Sequence, residues 1–385
     1  MPEANTRPPV VFIHGYKGCF LVDNFTESKT LIYNFLTLKH VLSMSSPDLS
    51  LPTTWTEGVQ DQQSPVAVIP GPPLSDPLGP CLSSLLKVRV YAPLLQTLET
   101  EYGPPILAQG PEEVLAHTPF YVFTYDWRRS NNETVALLHG FLEKLRTPPQ
   151  VIAHSNGGLL LFSCLNKNPA LVHSAIYAAV PFKGNLTFLP DLTQGKKIGL
   201  NKKILSAAVQ RTFSLPYHIL PYRSEAAGLF LNSHGEEIRV DWHDIKTWTD
   251  HGLVEPDGAE AMHVKEALSD AVLFKSSLIP SQPKDSYPKS IVVAGNAVPT
   301  ADGVTLTKPG TVSMETFEKK PGDGRFTESC VQPPTGTVVK TLISTHKHDS
   351  VLDGVDVIAA LETLRKVNNV PDIDTSEVVL EIKDE

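Results

Sequence analysis

Seven short apolar runs punctuate the chain: PVVFIHG (9–15), KVRVYA (87–92), FYVFTYDW (120–127), QVIAHS (150–155), SAIYAAVP (174–181), SIVVAGN (290–296) and KTLISTH (340–346). Most are apolar at successive positions rather than at alternate ones. A strand with one face in water alternates, whereas a strand covered on both faces does not. The runs therefore predict buried strands of a mostly parallel sheet. Four helical patterns, at 93–101, 133–146, 157–167 and 354–366, predict helices to cover it. Strands that alternate with helices, joined by right-handed crossovers, make an α/β fold.

Two regions break this rhythm. Residues 44–84 are rich in Pro, Ser and Asp and predict a long lid-like loop. Residues 183–285 separate two core strands and carry short mixed helical patterns; they predict an inserted cap. The core is then residues 1–182 together with 286–385. The apolar stretch LIYNFLTLKHVL (31–42) predicts a core helix, with a peripheral lipid-interface face as the alternative.

Composition narrows the classes. The chain has 385 residues, 41% hydrophobic and 19% charged, which is too apolar for disorder. A net charge of -9 argues against nucleic acid as a partner. No run is long enough to span a membrane, and the first residues lack a secretory pattern. A cytoplasmic protein is expected, with a secreted mature chain as the alternative. The four cysteines have no metal-like spacing and predict reduced thiols, with a Cys19–Cys81 bridge as a weaker option. The sequons at Asn24, Asn132 and Asn185 are read as non-functional without a signal peptide.

The chemistry centres on VIAHSNGG (151–158). A serine hydroxyl becomes a nucleophile when a tight strand-to-helix turn exposes it to a base and to oxyanion donors. Such a turn needs small residues two positions before and after the serine, here Ala153 and Gly157. Ser155 is the candidate nucleophile. The Asn156 N–H, and that of Tyr16 in the loop after the first strand, are the candidate oxyanion donors. The acid and base should follow in that order. Asp323 in PGDGRF and Asp302 in PTADGVT compete for the acid; His348 and His346 in STHKHDSVL compete for the base.

Four landmarks give the chain a resemblance: HGYKG after the first strand, FTYDWRRS, AHSNGG followed by AAVPFKG, and GDGRF followed by a late His-x-x-x-Leu. Together they resemble the lecithin:cholesterol acyltransferase-like branch of the α/β-hydrolases, across about residues 9–355. The resemblance implies an α/β-hydrolase fold and selects Ser155, Asp323 and His348 as the catalytic set. It implies that Asp126 and Arg128 of YDWR are structural, a buried ion pair near the turn. Asn156 stands where Met or Leu is usual, and Arg325 replaces Thr after the acid turn, placed either to pair with Asp323 or to face solvent. The expected activity is that of a serine esterase, lipase or O-acyltransferase (EC 3.1.1 or 2.3.1) on lipid or other esters. It needs no metal or organic cofactor. The alternative is a catalytically silent binding protein on the same fold.

Overall fold

The structure, a computed structural model, describes residues 7–23, 31–33, 43, 46–52, 68–73, 90–222 and 228–368. Its centre is a seven-stranded sheet. The strands are β1 (Val10–Ile13), β2 (Ile106–Ala108), β3 (Phe120–Phe123), β4 (Gln150–His154), β5 (Ser174–Ala178), β6 (Ser290–Gly295) and β7 (Val338–Ser344). They lie in the order β7-β6-β5-β4-β1-β3-β2, and every pair is parallel. This is the α/β-hydrolase arrangement the sequence implied.

The successive apolar positions have a direct cause. In β1, Val11 and Ile13 join one core cluster while Val10 and Phe12 join another. Tyr121 and Phe123 of β3 divide from Phe120 and Val122 in the same way. One face is covered by α2 (Asn131–Lys144) and α3 (Asn156–Lys167), the other by α1 (Ala92–Tyr102) and α5 (Val357–Asn368). Burial of each large apolar side chain contributes about 1.5–3 kcal/mol. The alternation of side chains along each strand makes both covers necessary.

A third cluster is built from the segment between β5 and β6. Trp242, Trp248, Phe230 and residues of α4 (Ala259–Ser276) pack around Leu186 and Leu189. Val304 and Val312 complete it. These two come from the hairpin Val304–Lys308/Thr311–Ser313, whose first strand also pairs in parallel with Phe230–Leu231. The inserted segment thus shares its core with residues beyond β6.

Two expectations change. KVRVYA was read as a strand; of it, 87–89 lie outside the described residues, Val90 is in a bend and Tyr91 caps α1. Pro93 in the first turn of α1 explains the helix start. LIYNFLTLKHVL predicts a helix, but Leu31–Tyr33 is a strand beside Cys19–Asp23, and the remainder, 34–42, lies outside the described residues. Most of the 44–84 loop, including Cys81, also lies outside them. Within it, Val68–Pro73 pairs with Cys19–Asp23 as a strand.

Candidate active site

In a parallel sheet the loops after the strands gather at one edge, and sites form there. β4 ends at His154, and Ser155 follows with φ 53 and ψ -126, a backbone conformation L-residues avoid. α3 begins at Asn156. The turn is held by close approach: a Cβ on Gly157 would stand 2.6 Å from the His14 carbonyl oxygen and 2.7 Å from that of Ile13. A Cβ on Gly15 would meet the Ser155 Cβ at 2.7 Å. Both glycines are therefore steric requirements of bringing the β1 loop against the serine.

Loops after β6 and β7 bring the other two residues. His348 Nε2 lies 3.1 Å from Ser155 Oγ, and His348 Nδ1 lies 2.8 Å from Asp323 Oδ2. The His348 N–H also donates to the Asp323 carbonyl at 2.8 Å. Asp323 Oδ1 accepts from the Arg325 and Phe326 N–H groups, each at 2.8 Å. Burial opposes the charge on Asp323, but the neighbouring His348 and the two backbone donors outweigh it and hold the carboxyl below its ordinary value. The rivals lie elsewhere. Asp302 Oδ2 meets Lys320 Nζ at 3.4 Å, and His346 packs by Gly354 with its N–H donating to Ser344 Oγ.

The two candidate oxyanion donors flank the serine. Asn156 is the first residue of α3, so its N–H has no carbonyl one turn earlier to bond. Gly15 to Gly18 form a turn closed by the Gly18 N–H on the Gly15 carbonyl at 3.0 Å, with Lys17 at φ 59. Tyr16 occupies its second position, next to the glycine that abuts Ser155.

The Asn156 side chain explains its departure from an apolar residue. Its amide exchanges two hydrogen bonds with the Asn131 amide, at 2.9 and 3.0 Å, and donates to Tyr125 Oη at 3.1 Å. Tyr125 in turn donates to the His14 carbonyl at 3.0 Å. Asp126 and Arg128 form a buried bidentate pair at 2.7 and 3.0 Å, and Arg128 Nη1 also donates to the Leu49 carbonyl. The Arg325 guanidinium does not pair with Asp323; it sits 5.3 Å from the Phe188 ring centroid.

His154 and Tyr91 are residues the sequence did not reveal as part of the site. The Gly15 N–H donates to Tyr91 Oη at 3.0 Å, and Tyr91 Oη lies 2.7 Å from His154 Nδ1. His154 Nε2 lies 3.0 Å from the His348 carbonyl. One tautomer satisfies all of these: Nε2–H donates to the carbonyl and Nδ1 accepts from the tyrosine. Burial, then the adjacent His348, lowers His154 to about 3, so it stays neutral. The chain links the β1 loop to the backbone of His348 beneath Ser155. The histidine before the serine was the visible signal; Tyr91 lay in a run read as a strand.

Among the described residues, no group of three or more His, Cys, Asp or Glu is placed to hold a metal ion. No helix among them is long and apolar enough to cross a membrane. Cys164 and Cys330 are buried free thiols. Of the sequons, Asn185 is 1% exposed and donates to the Arg325 carbonyl, and the Asn132 amide is bonded to Asp270.

The lecithin:cholesterol acyltransferase family model matches residues 118–266, a span that carries YDWR, Ser155 and most of the inserted segment. The resemblance read from the sequence therefore stands over that span. Among curated proteins, none matches the chain. Among solved structures, a chain of the crystal structure of the Tle4–Tli4 complex is similar in fold, with a TM-score of 0.57 and 12% identity, covering 95% of this chain and 98% of that one. The putative ancestral haloalkane dehalogenase AncHLD2 is similar over 95% of this chain and 94% of its own, at 12% identity and a TM-score of 0.33.

Proposed function

We propose that this α/β-hydrolase is a serine esterase acting on carboxylic esters of lipids. One observation carries the reading: His348 stands between Ser155 Oγ at 3.1 Å and Asp323 Oδ2 at 2.8 Å, behind a serine held in a strained turn. The lipid class is supported by the family match over 118–266.

Ser155 Oγ attacks the ester carbonyl carbon as its proton passes to His348 Nε2. Asp323 holds the Nδ1–H and offsets the imidazolium charge. The Tyr16 and Asn156 N–H groups receive the oxyanion. As the carbon–oxygen bond breaks, the alcohol leaves with the proton from His348, and an acyl-Ser155 ester remains. Water, giving its proton to His348, attacks this ester and releases the acid. Ester and water become acid and alcohol, and Ser155 recovers its hydroxyl. An alcohol in the place of water yields a new ester by the same steps. Asp126 and Arg128 take no part in proton transfer; their pair fixes the loop at 46–52 against the strand end.

The test is a set of p-nitrophenyl esters of rising chain length, run beside a fluorophosphonate label. Wild type is expected to turn over esters and to take the label at Ser155. Ser155→Ala should do neither. Asp323→Asn is expected to lower kcat by about four orders of magnitude, as a mis-held imidazole does. His348→Ala should abolish turnover, whereas His346→Ala should retain it. A folded wild type that is neither labelled nor active would instead be a binding protein. Product analysis with and without added alcohol separates hydrolysis from acyl transfer.

A further inference from the structure

A second aspartate–histidine pair lies behind the serine turn, and the proposed reaction makes no use of it. His218 Nε2 lies 2.8 Å from Asp270 Oδ2. Both residues belong to the inserted segment: His218 ends the short helix Leu215–His218, and Asp270 lies on α4. The pair faces the start of α2, one of the helices that cover the sheet. Asp270 accepts from the Asn132 amide at 2.7 Å, and the Asn131 N–H donates to His218 Nδ1 at 3.3 Å. Phe274 of α4 stacks on the His218 ring at 5.0 Å.

The Asn131 contact has a physical reason. Asn131 is the first residue of α2, so its N–H has no acceptor one turn earlier in the helix. Asn131 is fully buried, and a buried N–H without an acceptor is costly. His218, itself fully buried, supplies that acceptor. One tautomer meets both contacts: Nδ1 keeps its lone pair for Asn131, and Nε2–H donates to Asp270. Burial opposes a charge on Asp270, but the hydrogen bond from His218, with those of Ser130 and Asn132, holds its carboxyl below the ordinary value. An ionised carboxylate only accepts, and that fixes the tautomer.

From Asn131 the contacts run on to the reaction. The Asn131 amide exchanges its two hydrogen bonds with the Asn156 amide, and Asn156 carries a proposed oxyanion N–H. We infer that His218, oriented by Asp270, is a positioning residue for the oxyanion site. It fixes the first turn of α2, and through the Asn131–Asn156 pair it fixes the start of α3 beside Ser155. This rests on the esterase reading above and deepens it, because it makes the inserted segment part of what aims the Asn156 N–H. An oxyanion donor acts through its placement toward charge that develops only in the transition state. Loosening it therefore lowers kcat and leaves KM in place.

Two substitutions of one residue test the inference. His218→Asn puts an amide where Nδ1 stood and keeps an acceptor for Asn131, but gives up Asp270. His218→Gln reaches Asp270 and gives up the acceptor for Asn131. Turnover of p-nitrophenyl butyrate is measured per site titrated to completion with the fluorophosphonate, so that only folded enzyme counts. His218→Gln is expected to lower kcat about tenfold at unchanged KM, the worth of one hydrogen bond. It should weaken a trifluoromethyl ketone inhibitor by the same factor, because the adduct with Ser155 places an oxyanion in the same hole. His218→Asn is expected to keep kcat within about twofold of wild type and to lower the denaturation midpoint instead. In an Asn131→Ala background, which has no amide to pass the displacement on, His218→Gln should lower kcat no further. Wild-type kcat in His218→Gln, a kcat that follows the denaturation midpoint across the two variants, or an equal loss in the Asn131→Ala background would each overturn the positioning role and leave the esterase reading intact. A wild type that neither turns over the ester nor takes the label would overturn that reading instead.

Discussion

Asn156, the proposed oxyanion donor through its backbone N–H, is held by its side chain. The reciprocal amide pair with Asn131 is buried, so Asn156→Leu leaves the Asn131 amide without partners. The expected loss is about 1–3 kcal/mol in chemical denaturation. Adding Asn131→Leu should recover part of it, a coupling a double-mutant cycle reads directly. Tyr91→Phe removes both the donor to His154 and the acceptor of the Gly15 N–H. It is expected to lower kcat about tenfold with little change in KM, because it loosens the placing of the oxyanion turn and His348 rather than substrate contacts. At this scale Ser155 was legible because its requirements are local: a strand, small neighbours, a helix. Its partners were not. His346 and His348 share one nine-residue window, and both Asp302 and Asp323 precede glycine. Local pattern does not separate them; the family resemblance selects Asp323 and His348, and the path of the chain brings those two beside Ser155.

The strand–turn–helix around Ser155 works as a unit, since its shape depends on contact with β1. Gly157→Ala would press a methyl group against two backbone carbonyls that have nowhere to move. It is expected to cost about 3 kcal/mol or more, seen as a lower denaturation midpoint or loss of soluble protein. The long elements were readable for the same reason that they are stable: their apolar positions face cores on both sides of the sheet. The errors fall where propensity and context disagree. KVRVYA is β-branched, yet Pro93 starts a helix and Tyr91 is taken up by Phe12 and His154. Ile106–Ala108 is only three residues long and follows two prolines, so no periodicity announced it.

Across the whole molecule, buried histidines tie stability to pH. Burial lowers His14 and His243 to about 4, and His154 to about 3. An unfolded chain protonates histidine near 6.5. Between that value and the native ones the unfolded state binds more protons, so stability falls as pH falls. Each such histidine contributes up to about 1.4 kcal/mol per pH unit. Asp323, held low in the native state, adds a loss of the same sign only below about pH 4, where the unfolded chain takes up that proton first. Lys17, which burial lowers to about 7, adds a further fall of the same sign between about pH 10 and 7. After that fall, the melting temperature is expected to drop steeply from about pH 6 to 4.5. A level profile across that window would contradict neutral buried imidazoles. The inserted segment carries a different consequence. Its core is completed by Val304 and Val312, and Ser155 meets His348 193 positions later. On the ribosome, the tryptophans of this segment emerge well before the residues that close over them. Nascent chains should therefore pass through a stage with an open apolar cluster and no assembled site. Activity would then appear only once the C-terminal quarter has left the exit tunnel, and chaperones would have their longest opportunity before that moment.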